Sequence, residues 1–313
     1  MRKRRLQRGH EGWAPPEVFL DYHASGLAPI GMRPVIAVPS STLAPVKAGE
    51  RVLMHAVELA RTVWGQRLVA AYALGSLAHG GFSVYVSDLD LGLLLTDPLD
   101  EGDAKAVDRL LTEVRAGGAP LAERLSVYWG SLGTLAGIAS GGRFPPLDLL
   151  DLKQFGRLLA GRDVRSQLRS PTLRELVVSG ARFALKHLST PAVTAQLRNP
   201  VEFANANTKT LTKLVLYPVR FLFTARTGQI GMNNQAVEYF VTVETGPAAD
   251  LARKGLEWRF EPLDPRDRRV VAVLESGLLP LYRIFLDDYE RRLREYGELD
   301  LAQAYGEWRQ CLE

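Results

Sequence analysis

The sequence predicts an α+β fold in which a segment of strands and helices precedes an all-helical region. Apolar runs rich in small and β-branched residues alternate with amphipathic segments up to about residue 165. Apolar residues then recur at helical spacing, and no strand pattern follows Pro145. The 313 residues also exceed the roughly 250 at which a single core stops growing, so two domains are expected.

Residues 1–46 are expected to form an irregular or disordered leader, because prolines and turn formers dominate there. The first eight residues hold five of the 39 basic residues, which leaves 34 against 35 acidic residues in the rest of the chain. This near-neutral body argues against a broad nucleic-acid-binding face. The basic tail is suited to contact RNA, and a solvated terminus is the simpler interpretation.

The bulk composition points to a cytoplasmic protein. Cys311 is the single cysteine, so no disulfide framework exists and a reducing compartment is expected. No apolar run reaches the roughly 18 residues of a membrane span, and the charged N-terminus lacks the apolar segment of a secretory signal. No membrane partner is therefore predicted, and the oligomeric state stays open.

The first predicted domain covers residues 47–165. Helical spacing and strand-like composition predict helices over 48–64 and 107–115, and strands over 67–74, 84–95 and 125–129. The second predicted domain, residues 166–313, is helical. Helices are predicted over 147–159, 172–188, 203–226, 232–243, 247–257 and 266–296. Thr172 and Glu175 have the spacing of a capping box at the start of one of them.

The candidate active site begins with Gly75 and Ser76, at the predicted end of the first strand. A glycine lets the backbone approach a phosphate closely, and a serine adds a hydroxyl donor. Asp88 and Asp90 follow in the next apolar run, at a spacing that places both side chains on one face of a strand. Two adjacent carboxylates suit a Mg²⁺ ion that also binds substrate phosphates, so phosphoryl or nucleotidyl transfer is indicated.

Gly75-Ser76 followed by Ser87-Asp88-Leu89-Asp90-Leu91 resembles the signature of the nucleotidyltransferases related to DNA polymerase β. Within that superfamily the chain most resembles the aminoglycoside nucleotidyltransferases. The segments 152–157 and 219–224, with Gly228-Gln229-Ile230 and Ala236, resemble later segments of those enzymes, so the resemblance covers about residues 50–245.

The resemblance implies a small mixed β-sheet with flanking helices, joined to a helical bundle across an active-site cleft. It implies Mg²⁺-dependent transfer of a nucleoside monophosphate from an NTP, with ATP expected, to a hydroxyl of an aminoglycoside-like small molecule. Asp88 and Asp90 would bind the metal. Residues that would contact the nucleotide are Gly75, Ser76, Ser87, Arg157 and Lys213.

The chain departs from the family pattern at two positions. The position that aligns with the family's third carboxylate is Ser126, and Glu123, Asp148 or Asp151 are the alternatives for that role; Asp148 and Glu123 are preferred. The family's triphosphate-binding lysine is replaced by Asn233-Asn234, for which Lys209 and Lys213 are candidate substitutes.

Three further interpretations stay open at this stage. His79 in the phosphate turn is either exposed or in contact with a phosphate. Aromatic residues of the helical region form either an acceptor pocket or a bundle core; they are Tyr217, Phe221, Phe223, Tyr239 and Phe240. The alternative functions are a degenerate nucleotide-binding protein and a toxin- or antitoxin-type enzyme that modifies tRNA or a protein.

Overall fold

The computed structural model describes residues 43–261, 263–264 and 267–313. Its first helix, α1 (Leu43–Trp64), begins inside the segment 1–46 that was expected to be irregular. Val46 packs against the core of the sheet region, so the apolar stripe of α1 starts earlier than the proline-rich composition suggests. The basic residues at positions 2–8 lie outside the described residues, and their role in contacting RNA stays a prediction.

Four strands form one mixed sheet, as the fold class predicts. They are β1 (Leu68–Leu74), β2 (Leu89–Leu95), β3 (Leu125–Ser131) and β4 (Arg157–Gly161), in the spatial order β3-β2-β1-β4. β1 runs antiparallel to both β2 and β4, whereas β2 and β3 are parallel. The parallel pair needs a crossover connection, which helix α3 (Asp103–Ala116) provides.

Both faces of this sheet are covered, which explains the nearly continuous apolar strands. On β1, Ala71 and Ala73 face a core shared with α1 and α3. Tyr72 and Leu74 face the opposite side, where they pack with helix α5 (Pro146–Phe155). Polar side chains are therefore confined to the ends of the strands, and the candidate site lies at one such end.

Two predicted boundaries in the sheet region are wrong. The strand expected over 84–95 starts only at Leu89, because the Ser87 amide donates to the Ser83 carbonyl at 2.9 Å and closes a turn. The helix expected over 147–159 ends at Phe155, and the next residues form β4, contrary to the expectation of no strand after Pro145. Pairing with the free edge of β1 overrides the local helical spacing.

The helical region confirms the predicted architecture. The Thr172–Glu175 capping box starts α6, as predicted. The helix expected over 203–226 is instead two helices, because the Asn207 side chain accepts from the Thr210 amide at 2.9 Å and caps a new start. The helices are α6 (Leu173–Leu188), α7 (Pro191–Arg198), α8 (Pro200–Ala204), α9 (Thr208–Thr227), α10 (Asn233–Val243), α11 (Pro247–Glu257), α12 (Arg268–Glu295) and α13 (Leu299–Leu312).

Two of these helices, α7 and α13, are absent from the sequence prediction, as is the short α4 (Leu132–Ala136); α2 (Gly75–His79) is the short helix expected after the Gly-Ser turn. All the described residues belong to one compact unit, and the domain boundary near residue 165 stays a prediction.

Within the part of the chain that the structure describes, no helix is both long and apolar enough to cross a bilayer.

Candidate active site

A cavity lies between the end of the sheet and the helical region. We call its lining residues between positions 74 and 151 the sheet wall, and those between 183 and 259 the helical wall. The structure brings together most of the predicted site residues in this cavity. They are Gly75, Ser76, Ser87, Asp88, Asp90, Asp148 and Lys213.

Asp90 lies opposite Leu74 in the β1–β2 pair, beside the turn that begins at Gly75. Gly75 has a φ of +62°, and a side chain at this position would collide with the Asp90 carboxylate, so only glycine permits the close approach. Among the described residues, no hydrogen-bond donor reaches this carboxylate. Burial, together with the charges of Asp88 and Asp151, raises the pKa of Asp90 to about 7.

Asp88 immediately precedes β2 and contacts the helical region directly. Its two carboxylate oxygens lie 2.5 Å from Lys209 Nζ and 2.6 Å from Lys213 Nζ, on successive turns of α9. Burial would raise the pKa of Asp88, but the hydrogen bonds from the two ammonium groups outweigh it and keep the pKa below its usual range. Lys209 and Lys213, the predicted substitutes for the missing lysine, therefore both contact Asp88.

Asp148, in the first turn of α5, supplies a third carboxylate in the cavity. Burial and the charge of Asp90 raise the pKa of Asp148 to about 7, although a hydrogen bond with the Tyr128 hydroxyl opposes this shift. The same environment raises the pKa of Tyr128, so its hydroxyl stays protonated and donates. A carboxylate that titrates near neutral pH is suited to accept a proton from a reacting hydroxyl.

Two predicted site residues lie elsewhere. Glu123 falls in a short 3₁₀ turn before β3, where its side chain is 81% exposed and faces Arg115 at 3.8 Å, outside the lining of the cavity, so its catalytic role stays a prediction that this geometry does not support. Arg157 begins β4 and pairs with Glu50 at 3.0 Å on the surface, outside the lining of the cavity. Its nucleotide contact stays a prediction that this geometry does not support, because the expected helix is a strand here and the side chain meets α1.

Asp151 shapes the Gly-Ser turn. Its carboxylate accepts from the Gly75 amide at 2.7 Å and lies 2.5 Å from His79 Nε2. The side chains of Asp151 and His79 are almost fully buried, so each satisfies the other. Asp151 therefore holds the turn. The sequence left two interpretations of His79 open, an exposed residue or a phosphate contact. In the structure His79 is buried, and its Nε2 atom is bound to Asp151.

A chain of hydroxyl groups connects this turn to the helical region. Ser87 Oγ lies 2.9 Å from Ser76 Oγ, 2.9 Å from the Ser83 amide and 3.4 Å from Arg259 Nη2. Ser76 Oγ donates to Ser87 Oγ, which also accepts from the Ser83 amide and, at the longer distance, from the Arg259 guanidinium. Ser87 therefore ties the Gly-Ser turn to the helical region.

The helical wall carries three cationic side chains: Lys213, Arg220 and Arg259. Arg220 donates to the Gly231 carbonyl at 2.5 Å, and Arg259 donates to the Gly81 carbonyl at 2.8 Å. Among the described residues, neither guanidinium pairs with a carboxylate. Burial and the charge of Arg220 lower the pKa of Arg259 to about 10, which still leaves it charged at neutral pH. These groups suit a bound phosphate chain.

The sequence contained little signal for the two arginines of the helical wall. Arg220 lies within the segment 219–224 that resembles the family, whereas Arg259 follows α11 in a stretch with no recognised motif. Of the two asparagines at the position of the family lysine, Asn233 lines the cavity. Arg259 could be recognised only from its burial, since an arginine that is 7% exposed is uncommon unless it has a specific partner or ligand.

The aromatic residues divide between the two roles considered for them. Tyr217 and Phe221 line the cavity, together with Phe183 of α6, which the sequence did not indicate. Phe223 and Phe240 are buried in the core of the helical region, and Tyr239 packs against that core. Helical spacing alone cannot distinguish these two groups, because both face inward from the same helices.

The donor set fits a Mg²⁺ ion. Within the described ranges, no three His, Cys, Asp or Glu side chains converge to form a complete metal site. Mg²⁺ needs only one or two carboxylates, however, because it keeps waters and substrate phosphates as its other ligands. The Asp90 carboxylate has hard oxygen atoms, two neighbouring negative charges and no hydrogen-bond donor, which is an environment that a cation would stabilise.

Comparison with known proteins identifies the fold. No family model matches the chain, and no curated protein matches it in sequence. Among solved structures, it matches the crystal structure of a spectinomycin adenyltransferase from Enterococcus faecialis with ATP and spectinomycin. The match has a TM-score of 0.50 and 12% identity, and it covers 74% of this chain and 96% of that chain. The chain thus has the fold of a nucleotidyltransferase of the aminoglycoside type, which confirms the resemblance first recognised in the Gly-Ser and Asp-x-Asp motif.

Proposed function

We propose that this protein is a Mg²⁺-dependent nucleotidyltransferase that moves a nucleoside monophosphate from an NTP to a hydroxyl group of a small molecule. The observation that carries the proposal is the convergence of Asp88, Asp90 and Asp148 in one cavity, opposite Lys213 and the two arginines of the helical wall. ATP is the expected donor, and the protein of similar fold was crystallised with ATP.

The residues divide the chemical work between them. The Ser76 hydroxyl lines the cavity and would turn from Ser87 to donate to the phosphate chain, whose negative charge the cations of the helical wall neutralise. Asp88 and Asp90 would hold Mg²⁺, which stabilises negative charge on the phosphate oxygens. For Asp88 to do so, its oxygens must exchange at least part of their contact with Lys209 and Lys213.

Asp148 is the candidate proton acceptor. The hydroxyl group of the small-molecule substrate attacks the α-phosphorus of the NTP, and the hydroxyl proton passes to the Asp148 carboxylate. A bond forms between the acceptor oxygen and the α-phosphorus, and the bond from that phosphorus to the α,β-bridging oxygen breaks. Pyrophosphate leaves with the electron pair. Tyr128, hydrogen-bonded to Asp148, orients the carboxylate for this transfer.

The degenerate nucleotide-binding alternative depended on the missing third carboxylate at Ser126. Ser126 does pair in register with Asp90 on the neighbouring strand. Asp148 compensates from α5, so an active enzyme is the better supported of the two. The tRNA- or protein-modifying alternative receives no specific support from the described residues.

Labelled nucleotides test the proposal. The full-length protein is incubated with Mg²⁺, a small-molecule extract and ATP labelled at either the α- or the γ-phosphate, and the same is repeated with CTP, GTP and UTP. We expect the α-label to appear on an acceptor and the γ-label to appear in pyrophosphate. Transfer of the γ-label to the acceptor would indicate a kinase, and Mg²⁺-nucleotide binding with no transfer would favour the binding protein.

A further inference from the structure

We propose that the acceptor carries an aromatic or similarly flat apolar group, and is recognised through that group rather than through ammonium groups. This inference rests on the proposed function and defines its acceptor class. The structural basis is the aromatic wall, by which we mean Phe183, Tyr217 and Phe221 where they line the cavity.

The aromatic wall lies within reach of the reacting centre. Lys213, Tyr217 and Phe221 occupy successive turns on one face of α9, at about 5.4 Å per turn. Lys213 contacts Asp88, and Tyr217 and Phe221 follow Lys213 at about 6 and 12 Å along the helix axis. A molecule whose hydroxyl reaches the carboxylates would therefore place a ring-sized group against these side chains.

The three rings form one continuous surface. Phe183 meets Tyr217 edge-on with centroids 5.4 Å apart, and Tyr217 and Phe221 are stacked at 5.8 Å. Phe183 is 37% exposed and is the most open of the three rings, whereas Phe221 is 6% exposed and also belongs to the helical core. Exposed aromatic surface inside a concave cavity is typical of a ligand contact, since rings offer a large apolar area and favourable ring-to-ring geometry.

The charges of the cavity disfavour a polycationic acceptor. Every carboxylate that lines it belongs to the sheet wall: Asp88, Asp90, Asp148 and Asp151. Asp88 is paired with two lysines, Asp151 holds the Gly-Ser turn, and the other two face the reacting centre. The helical wall, as far as the structure describes it, has no acidic residue and three cationic ones. Ammonium groups of an acceptor bound there would meet like charges without a partner.

The aromatic wall adjoins the proton acceptor rather than the phosphate turn. Helix α5, which carries Asp148, packs against α6, which carries Phe183. The acceptor hydroxyl must approach Asp148, so its remaining atoms lie on this side. Of the groups suited to phosphate, Ser76 and Arg259 cluster around Ser87, whereas Arg220 lies 5.9 Å from the Tyr217 ring, at the border between the two regions. We therefore assign the aromatic wall to the acceptor and not to the base of the nucleotide.

Three probes of different chemistry test this assignment by ligand-observed NMR titration with the full-length protein, ATP and Mg²⁺. Phenyl β-D-glucopyranoside is neutral and aromatic, methyl β-D-glucopyranoside is neutral without a ring, and kanamycin is a polycation. We expect the phenyl glycoside to bind at least tenfold more tightly than the methyl glycoside, and kanamycin to bind more weakly than either. Equal binding of the two glycosides, no binding of any probe, or tighter binding of kanamycin would overturn the assignment.

Two variants at one position sharpen the test. Phe183→Ala should reduce the phenyl-to-methyl preference at least fivefold, and Phe183→Leu should keep part of it. Leu279→Ala on α12 is a matched control, because Leu279 is 39% exposed and lies outside the cavity. If Phe183→Ala instead weakens ATP binding alone, the wall holds the nucleotide base and the inference fails. Transfer of the α-label from ATP is measured separately, so the proposed function can survive that failure.

Discussion

The two walls of the cavity differ in how the chain builds them. The sheet wall draws its key groups, from Gly75 to Asp90, from one stretch of strand, turn and strand. The helical wall takes residues from Phe183 to Arg259, on separate helices and a loop. The first wall is acidic, whereas the second is cationic and aromatic. A short local motif thus carries the proposed metal-binding pair and the phosphate turn, whereas long-range packing supplies Asp148 and the surface proposed to recognise the substrates.

The largest expected effect concerns the carboxylates of the sheet wall. Asp90→Asn should reduce kcat at least about 10³-fold, because it removes a charge needed to hold a metal against the phosphates. Nucleotide transfer at saturating ATP and Mg²⁺ measures this effect. Glu123→Gln is the matched control, since Glu123 lies outside the cavity, and it should stay within about twofold of the wild type. A near-normal rate for Asp90→Asn would show that Asp90 is not a ligand of a catalytic metal ion.

Substitution of Asp148 should have the next largest effect on kcat and should also change the pH dependence of the rate. A general base contributes about 10² to 10⁴-fold, so Asp148→Asn should lower kcat by that range. In the wild type, the pKa of Asp148 is raised to about 7, so the carboxyl is protonated and inactive below that pH. The rate should rise with pH towards a plateau. Both profiles are measured at saturating Mg²⁺, which keeps the Asp90 carboxyl ionised. The profile of the variant should then lack this rise; an unchanged profile would exclude Asp148 as the base.

Arg259 tests the helical wall. Arg259→Gln removes a charged donor, a loss of about 1.5–3 kcal/mol, so the KM for ATP should rise about 10- to 100-fold. Arg259→Lys should recover part of this affinity because the charge remains. Steady-state kinetics compare both with the wild type, after thermal unfolding has shown that the variants fold. An unchanged KM for Arg259→Gln would mean that Arg259 only stabilises the Gly81–Ser87 segment through its hydrogen bonds and does not contact ATP.

The smallest expected effect is on stability. Burial raises the pKa of Asp90 and of Asp148 to about 7, well above their value in an unfolded chain, so the folded state binds more protons between about pH 4 and 7. Stability without a cation should therefore fall as pH rises through this range. Mg²⁺ should restore a few degrees of Tm at pH 8, and less at pH 5. Asp90→Asn should abolish this difference; an equal Mg²⁺ shift at both pH values would contradict it.

The sequence predicted the parts of the molecule that depend on local spacing. Asp88 and Asp90 were recognisable because residues two positions apart share a face of an extended chain. The Thr172–Glu175 capping box was recognisable because its spacing is fixed by a single helical turn. The fold class followed from the periodicity of the apolar residues.

The rest could not be predicted, because it depends on which elements become neighbours. β4 has helical spacing in the sequence and becomes a strand only where the edge of β1 can pair with it. Asp148 and Glu123 were both preferred as the third carboxylate, and only the packing of α5 against the sheet shows that Asp148 lines the cavity whereas Glu123 does not. Phe183 and Arg259 gave no signal, since no local pattern relates them to the Gly-Ser turn.

Helix α5 determines two features of the site at once. Asp148 and Asp151 are three residues apart on this helix and so share one face. The first is the proposed proton acceptor, and the second grips the Gly75 amide and His79. Because one rigid element carries both, the distance between the base and the phosphate turn is set during folding. An opening of the cleft between the two walls would leave that spacing intact. Substrate binding therefore does not lose free energy to ordering these two groups.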